Sequence, residues 1–305
     1  MKKQPLTLLL LTLATAMTVG CGTSSTSVPK FTKVAFISTR SVNPPTSMFT
    51  SNLDGTNVTP IPFSTTNVQN LSSSADGKTV TFVAYIAGSY SLWIGNSDGT
   101  GQKQLTTPGN IYWARLSPNG KQIVYSDNMN HISIMSADGT GILDLTPTLP
   151  TNMMQCYEPS FSADSSQVVF GCYGSVTYGI YTVKTDGSGT KTVEVRGNKT
   201  VDYPFFTPDG KKIIFVGNSF AVAATHNQAI NPYSVGSVNI DGTGETVLVT
   251  NTDEAVVLNS SLYYATGGGC FNDIRQIYKA NLDGTNPVVV SDGKSSDDLF
   301  SQPCQ

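Results

Sequence analysis

Phe206-Thr207-Pro208-Asp209-Gly210-Lys211-Lys212-Ile213-Ile214-Phe215 is the stretch that decides the fold of this chain. Pro208 presets the first turn position and Asp209-Gly210 completes the turn, so the apolar residues on either side come back on one another as an antiparallel hairpin. Leu116-Ser117-Pro118-Asn119-Gly120-Lys121-Gln122-Ile123-Val124-Tyr125 repeats the same order of strand and turn. Ser73-Ser74-Ala75-Asp76-Gly77-Lys78 and Phe161-Ser162-Ala163-Asp164 are looser copies.

A second turn recurs downstream, at Asp54-Gly55-Thr56, Asp98-Gly99-Thr100, Asp138-Gly139-Thr140, Asp186-Gly187-Ser188, Asp241-Gly242-Thr243 and Asp283-Gly284-Thr285. Successive Asp positions lie 44, 40, 48, 55 and 42 residues apart, the length of a unit of four short strands. Each Asp-Gly separates two β-type runs, as at 277–282 and 287–290. It is a hairpin signal because both residues tolerate the positive φ of a type I′ turn.

These paired motifs resemble the TolB-like propeller repeat, a Ser-Pro-Asp-Gly-Lys hairpin followed by a strand and an Asp-Gly-Thr hairpin. The resemblance covers 31–305. It implies an all-β, six-bladed β-propeller with four-stranded antiparallel blades, and no activity, since fold does not imply function. TolB carries an α/β domain before its propeller, where this chain has a short polar tether. The sixth copy replaces the first hairpin with Leu258-Asn259-Ser260-Ser261-Leu262, a degenerate turn. The first copy starts at its second strand, Lys33-Val34-Ala35-Phe36-Ile37. Asp297-Asp298-Leu299-Phe300-Ser301 resembles the missing inner strand, so the C-terminal segment is expected to close the ring in blade one and remove exposed edges.

Residues 1–20 read as an export signal: Lys2 and Lys3, then an uncharged apolar stretch over 6–17, too short to span a bilayer comfortably. Thr18-Val19-Gly20-Cys21 resembles the bacterial lipobox, which implies acylation of Cys21, with 21–30 as a polar tether. The expected location is the periplasmic or outer face of a membrane, held by the lipid on Cys21. Charged residues make up 13% of the 305, and the net charge is -3 with no Lys/Arg run beyond the first three residues. Nucleic acid is therefore excluded as a partner.

Strands alternate direction, so both hairpins of every unit face one way. The longer connections at 39–46, 171–178, 217–235 and 265–275 face the other, and binding residues concentrate on such loops. Candidate ligand-facing residues on that open face are Tyr112, Trp113, Glu158, Asp202, His226, Tyr233 and Asp297. Glu158, Asp202, Asp253, Glu254, Asp297 and Asp298 all fall at or just before inner strands, near the mouth of the central channel. Other aromatics, including Phe82, Trp93, Phe161, Tyr181, Phe206 and Tyr278, fit packing between blades.

Four cysteines besides Cys21 suggest disulfides in an exported protein, with three possible connectivities. Cys156 and Cys172 flank one hairpin almost symmetrically and are the first pairing. Cys270 with Cys304 then follows by elimination, although a full last strand would carry Cys304 away from Cys270. Gly95-Asn96-Ser97-Asp98-Gly99 has the letters of a nucleophile elbow but lies in a repeat hairpin instead of a strand-to-helix turn. His131 and His226 are the only histidines, and neither spacing suggests a metal site. The expectation is a monomeric, non-catalytic binding or scaffold module for a protein or cell-envelope component, without metal or cofactor. The alternative is a carbohydrate-active lyase or hydrolase using channel-mouth carboxylates.

Overall fold

A computed structural model describes residues 32–38, 47–54, 56–63, 68–86, 88–107, 109, 111–127, 131–146, 153–175, 177–197, 200–217, 233–266, 276–290 and 297–298. They form an all-β propeller of four-stranded antiparallel blades. The first three strands are β1 (Lys33–Ser38), β2 (Ser47–Asn52) and β3 (Thr59–Ile61). The next blade is β4 (Val68–Ser73), β5 (Thr79–Ile86), β6 (Ser89–Asn96) and β7 (Lys103–Gln104). Then come β8 (Ile111–Leu116), β9 (Gln122–Asp127), β10 (Ile132–Ser136) and β11 (Leu143–Asp144). The fourth unit is β12 (Met153–Phe161), β13 (Gln167–Gly174), β14 (Tyr178–Lys184) and β15 (Lys191–Gly197). The fifth is β16 (Asp202–Phe206), β17 (Lys212–Gly217), β18 (Ser234–Asn239) and β19 (Thr246–Thr250). The last is β20 (Thr252–Leu258), β21 (Ser261–Thr266), β22 (Gln276–Asn281) and β23 (Val288–Val289), followed by β24 (Asp297–Asp298).

Five blades are thus built of four consecutive strands each, against the six expected. The first unit has three strands of its own, because the sequence enters that copy at its second strand. Its edge is met by β24 through two pairs, Ile37 with Asp298 and Ser38 with Asp297.

The turn chemistry explains the repeat, with one correction. In the Asp-Gly hairpins the Gly alone takes positive φ, and the Asp does not. The Asp side chain instead accepts: Asp98 Oδ1 takes the Thr100 N–H at 2.9 Å and the Thr100 hydroxyl at 2.6 Å. Asp54, Asp138, Asp241 and Asp283 repeat this arrangement. These turns are therefore Asx-supported with a left-handed Gly, and not type I′. At Gly242, φ is 84° and a Cβ would collide with the Val193 carbonyl of the preceding blade. Both backbone freedom and close approach require glycine there. In the last blade Leu258 pairs directly with Ser261, and Asn259, at φ 54°, turns the chain without glycine.

Aromatic and aliphatic side chains pack between neighbouring sheets. Phe82, Phe170, Phe215 and Tyr263 are fully buried, in four separate clusters. Phe170 stacks on Tyr181 at 6.0 Å. The aromatic positions read as packing residues are thereby accounted for. Cys156 lies directly opposite Cys172 and the two form a disulfide, as the flanking symmetry suggested. Cys21, Cys270 and Cys304 lie outside the described residues.

The first strand of each complete blade carries a bulge: Gln69/Ser72, Ile111/Trp113, Tyr157/Ser160, Asp202/Phe205 and Thr252/Glu254. Bulges bend a strand and re-aim its side chains. Here they also couple blades. The Asn70 side-chain amide donates to the Tyr112 carbonyl, and Glu158 Oε2 accepts the Tyr203 N–H at 2.5 Å. Two residues on, the Leu116 N–H donates to Ser72 Oγ at 3.2 Å, and Ser160 Oγ donates to the Pro204 carbonyl at 2.5 Å. The central strands are stitched by side chains, where blades share no ladder.

Candidate functional site

Glu158 and Tyr203 sit at their bulges with φ of 54° and 50°, a conformation that costs a non-glycine residue about 1 kcal/mol or more. That strain turns the Glu158 carboxylate sideways onto the next blade. Around it β8, β12, β16 and β20 pack against one another in succession.

Arg115 is the cation of this cluster, 5% exposed and stacked over Trp113, its guanidinium carbon 4.4 Å from the ring centroid. The Phe205 ring centroid is 5.9 Å from the same carbon, and Tyr203 packs on Trp113 at 5.2 Å. Burial pushes the guanidinium down to about 9, opposed by the attraction of Glu158 and also of Tyr203 and Glu254. It therefore stays charged at neutral pH. Glu254, 3% exposed, is part of the same field.

Glu158 and Asp202 keep only part of their surface open. Burial and then repulsion from Asp202 hold Glu158 well above the usual carboxylate range, while the Tyr203 N–H and Arg115 pull it back. Burial pushes Asp202 up to about 7. Among the described residues nothing donates a hydrogen bond to it. Burial, and then the charge of Asp202 and Glu158, raises the Tyr157 hydroxyl far above the ordinary value. Its ring meets Tyr173 at 5.7 Å, and Tyr173 meets Tyr178 at 5.8 Å. Such an arrangement can retain a proton or hold a cation near neutral pH.

The sequence candidates fare unevenly. Glu158 and Asp202 come together. Trp113 does not face ligand: it is 3% exposed, because the bulge at 111–113 turns it into the apolar centre beneath Arg115. Tyr112, its neighbour, is 43% exposed and continues a ring row with Tyr90 at 6.1 Å and Tyr85 at 4.9 Å from Tyr90. Tyr233 is half-buried against the last blade's core. Asp297 pairs with Ser38 through its backbone. His226 lies outside the described residues. His131 sits at the rim, its Nδ1 3.2 Å from Asp144 Oδ2. Arg115 was missed, although it is the one basic residue two places before a Ser-Pro-type turn, where other copies carry Ser or Phe. Among the described residues no set of three His, Cys, Asp or Glu could hold a metal ion.

Comparison with known proteins agrees with the architecture. A family profile described as the TolB beta propeller domain matches residues 31–259. Among solved structures, TolB from Acinetobacter baumannii is similar with a TM-score of 0.66 at 16% identity, over 85% of this chain and 64% of that one. This chain therefore spans less than two thirds of that protein's length. A chain of a nidogen/laminin complex is similar with a TM-score of 0.61 at 11% identity, over 84% of this chain and 92% of that one. An oligogalacturonate lyase in complex with manganese gives 0.55 at 13% identity, over 85% and 73%. At these identities the likeness is one of fold. No curated protein matches in sequence.

Proposed function

This chain belongs to the TolB β-propeller family, and from that premise we propose that it is an exported, lipid-anchored module that binds a protein or other envelope component through its open face. The observation that carries this reading is the channel-mouth cluster. Arg115, Glu158, Asp202 and Glu254 reach one place from four blades, and Asp202 serves no turn and no described hydrogen bond. The hairpin face contrasts with it, since its carboxylates are absorbed by turn donors such as Thr56 and Thr100.

The anchor in this reading is Cys21 on its tether, and the ring has six members closed at the first sheet. Support for closure comes from the pairing of β24 with β1 and from Tyr263 Oη, which donates to the Leu53 carbonyl at 2.8 Å. Met48 and Ile61 of the first sheet pack against the β4–β7 blade on the other side.

Photo-crosslinking residues placed at Tyr112 on the open face and at Lys121 on the hairpin face test the binding surface in cells. Reproducible adducts from position 112 and none from 121 are expected; the reverse pattern would contradict the proposal. Cys21→Ala should release the protein from membranes, and persistent attachment would remove the anchor from the account.

A second reading has one observation in its favour: neighbouring carboxylates with raised pKa values are suited to acid-base work on an envelope glycan. Turnover of such a glycan, lost in Glu158→Gln, would establish it in place of a purely binding role.

A further inference from the structure

We infer that Asp202, Glu158 and the tyrosines 157, 173 and 178 form a site for a primary ammonium group, carried by a lysine side chain or by a free diamine. The inference rests on the open face being a binding surface and names what that surface takes.

Asp202 is the anomaly that points to a ligand. Hairpin aspartates such as Asp76, Asp164 and Asp209 each accept from a Ser or Thr hydroxyl at 2.6 Å. Asp202 is more enclosed than any of these and receives no hydrogen bond from a described residue. Arg115 attracts Glu158, whereas for Asp202 burial is the dominant influence and no cation among the described residues offsets it. The Glu158 carboxylate beside it has one oxygen held by the Tyr203 N–H. A group that donates hydrogen bonds and carries positive charge is what this pair of carboxylates would accept.

The surroundings narrow its identity. Tyr157, Tyr173 and Tyr178 form a continuous row, with centroid spacings of 5.7 and 5.8 Å, and its Tyr157 end lies within the field of the two carboxylates. Tyrosine faces attract cations, and the attraction grows as the cation is desolvated. A metal ion needs more hard donors than this pair supplies, and no metal-binding trio occurs among the described residues. An anion is repelled, and an uncharged ring would leave Asp202 uncompensated. An ammonium on an alkyl stem offers three donors and a compact charge, with methylenes to lie along the rings.

Calorimetric titration of the full chain with cadaverine, and separately with acetyl-Gly-Lys-Gly-amide, tests the site at about pH 8. Binding by at least one probe is expected, weakened about tenfold or more by Asp202→Asn and by Glu158→Gln. Preference for cadaverine assigns a free diamine, and preference for the peptide a lysine side chain. Asp202→Asn should melt no lower than the parent, so lost binding cannot be traced to unfolding. Failure of both probes, or equal binding to Asp202→Asn, overturns the ammonium site. If open-face crosslinks persist in that case, the binding surface itself still stands; if they are absent as well, both readings fail.

Discussion

Replacing Asp202 with Asn should stabilise this protein at alkaline pH, although the position lies in the candidate site. The carboxyl rises from its ordinary 3.8 to about 7 on folding. A folded value above the unfolded one means that folding favours the protonated form. The associated stability is fully present below about pH 4 and is lost as pH rises through about 7. That rise corresponds to about 4 kcal/mol at most, and the open part of the side chain, screened by water, reduces it to about 2 kcal/mol. Glu158 titrates in the same direction, while Arg115, Glu254 and Tyr157 set the surrounding field. Asn retains the shape and removes the charge, so the gain should appear at about pH 8 and vanish near pH 4. Urea unfolding of both proteins across that range measures it directly. Equal stability at all pH values, or a variant weaker at pH 8, would refute the claim that Asp202 is an enclosed and uncompensated carboxylate.

Other positions give equally definite expectations. Arg115→Ala strips the counter-charge from Glu158 and Glu254 and should cost about 3–5 kcal/mol by denaturant unfolding, with Arg115→Met milder because its stem still covers Trp113. Gly242→Ala should lower stability by about 2 kcal/mol or more, since positive φ and the Val193 carbonyl both oppose a Cβ; an unchanged melting temperature would contradict the turn assignment. Reducing Cys156–Cys172, which closes a separation of 16 residues, should cost about 3 kcal/mol, read as a shift of the urea midpoint by added reductant. The hairpin aspartates, held low chiefly by hydrogen bonds from Ser and Thr hydroxyls, contribute stability present above about pH 4 and lost as pH falls below it. An acid unfolding limb shared by the full set of hairpins is expected, and its disappearance in no single Asp→Asn variant.

The propeller was readable because its turns are chemically explicit. Asp with a following Gly and Thr can do little else but close a hairpin, and the recurrence of that turn marks off the blades. The first unit was harder to read, since a strand supplied by residues 297–298 carries no turn signal of its own. Within the site, Glu158 and Asp202 were legible from their positions ahead of the inner strands. Trp113 was misassigned and Arg115 overlooked for one shared reason. Both lie past the bulge at 111–113 on one face of β8, and that face is buried, with the arginine stacked over the indole. Bulges leave little trace in residue type, because Asn70, Trp113, Glu158 and Tyr203 share neither charge nor shape. The raised value of Asp202 is likewise a property of what surrounds it, which comes from strands far apart in sequence.

The account turns most directly on the titration of one carboxyl group. Carbon-13 NMR of the Asp202 side chain, assigned through Asp202→Asn, should show a midpoint near 7 in the free protein, as burial requires, and a fall of about one pH unit or more when cadaverine or the lysine peptide is bound. A midpoint near 4 that no amine displaces would contradict both the uncompensated carboxylate and the site built around it.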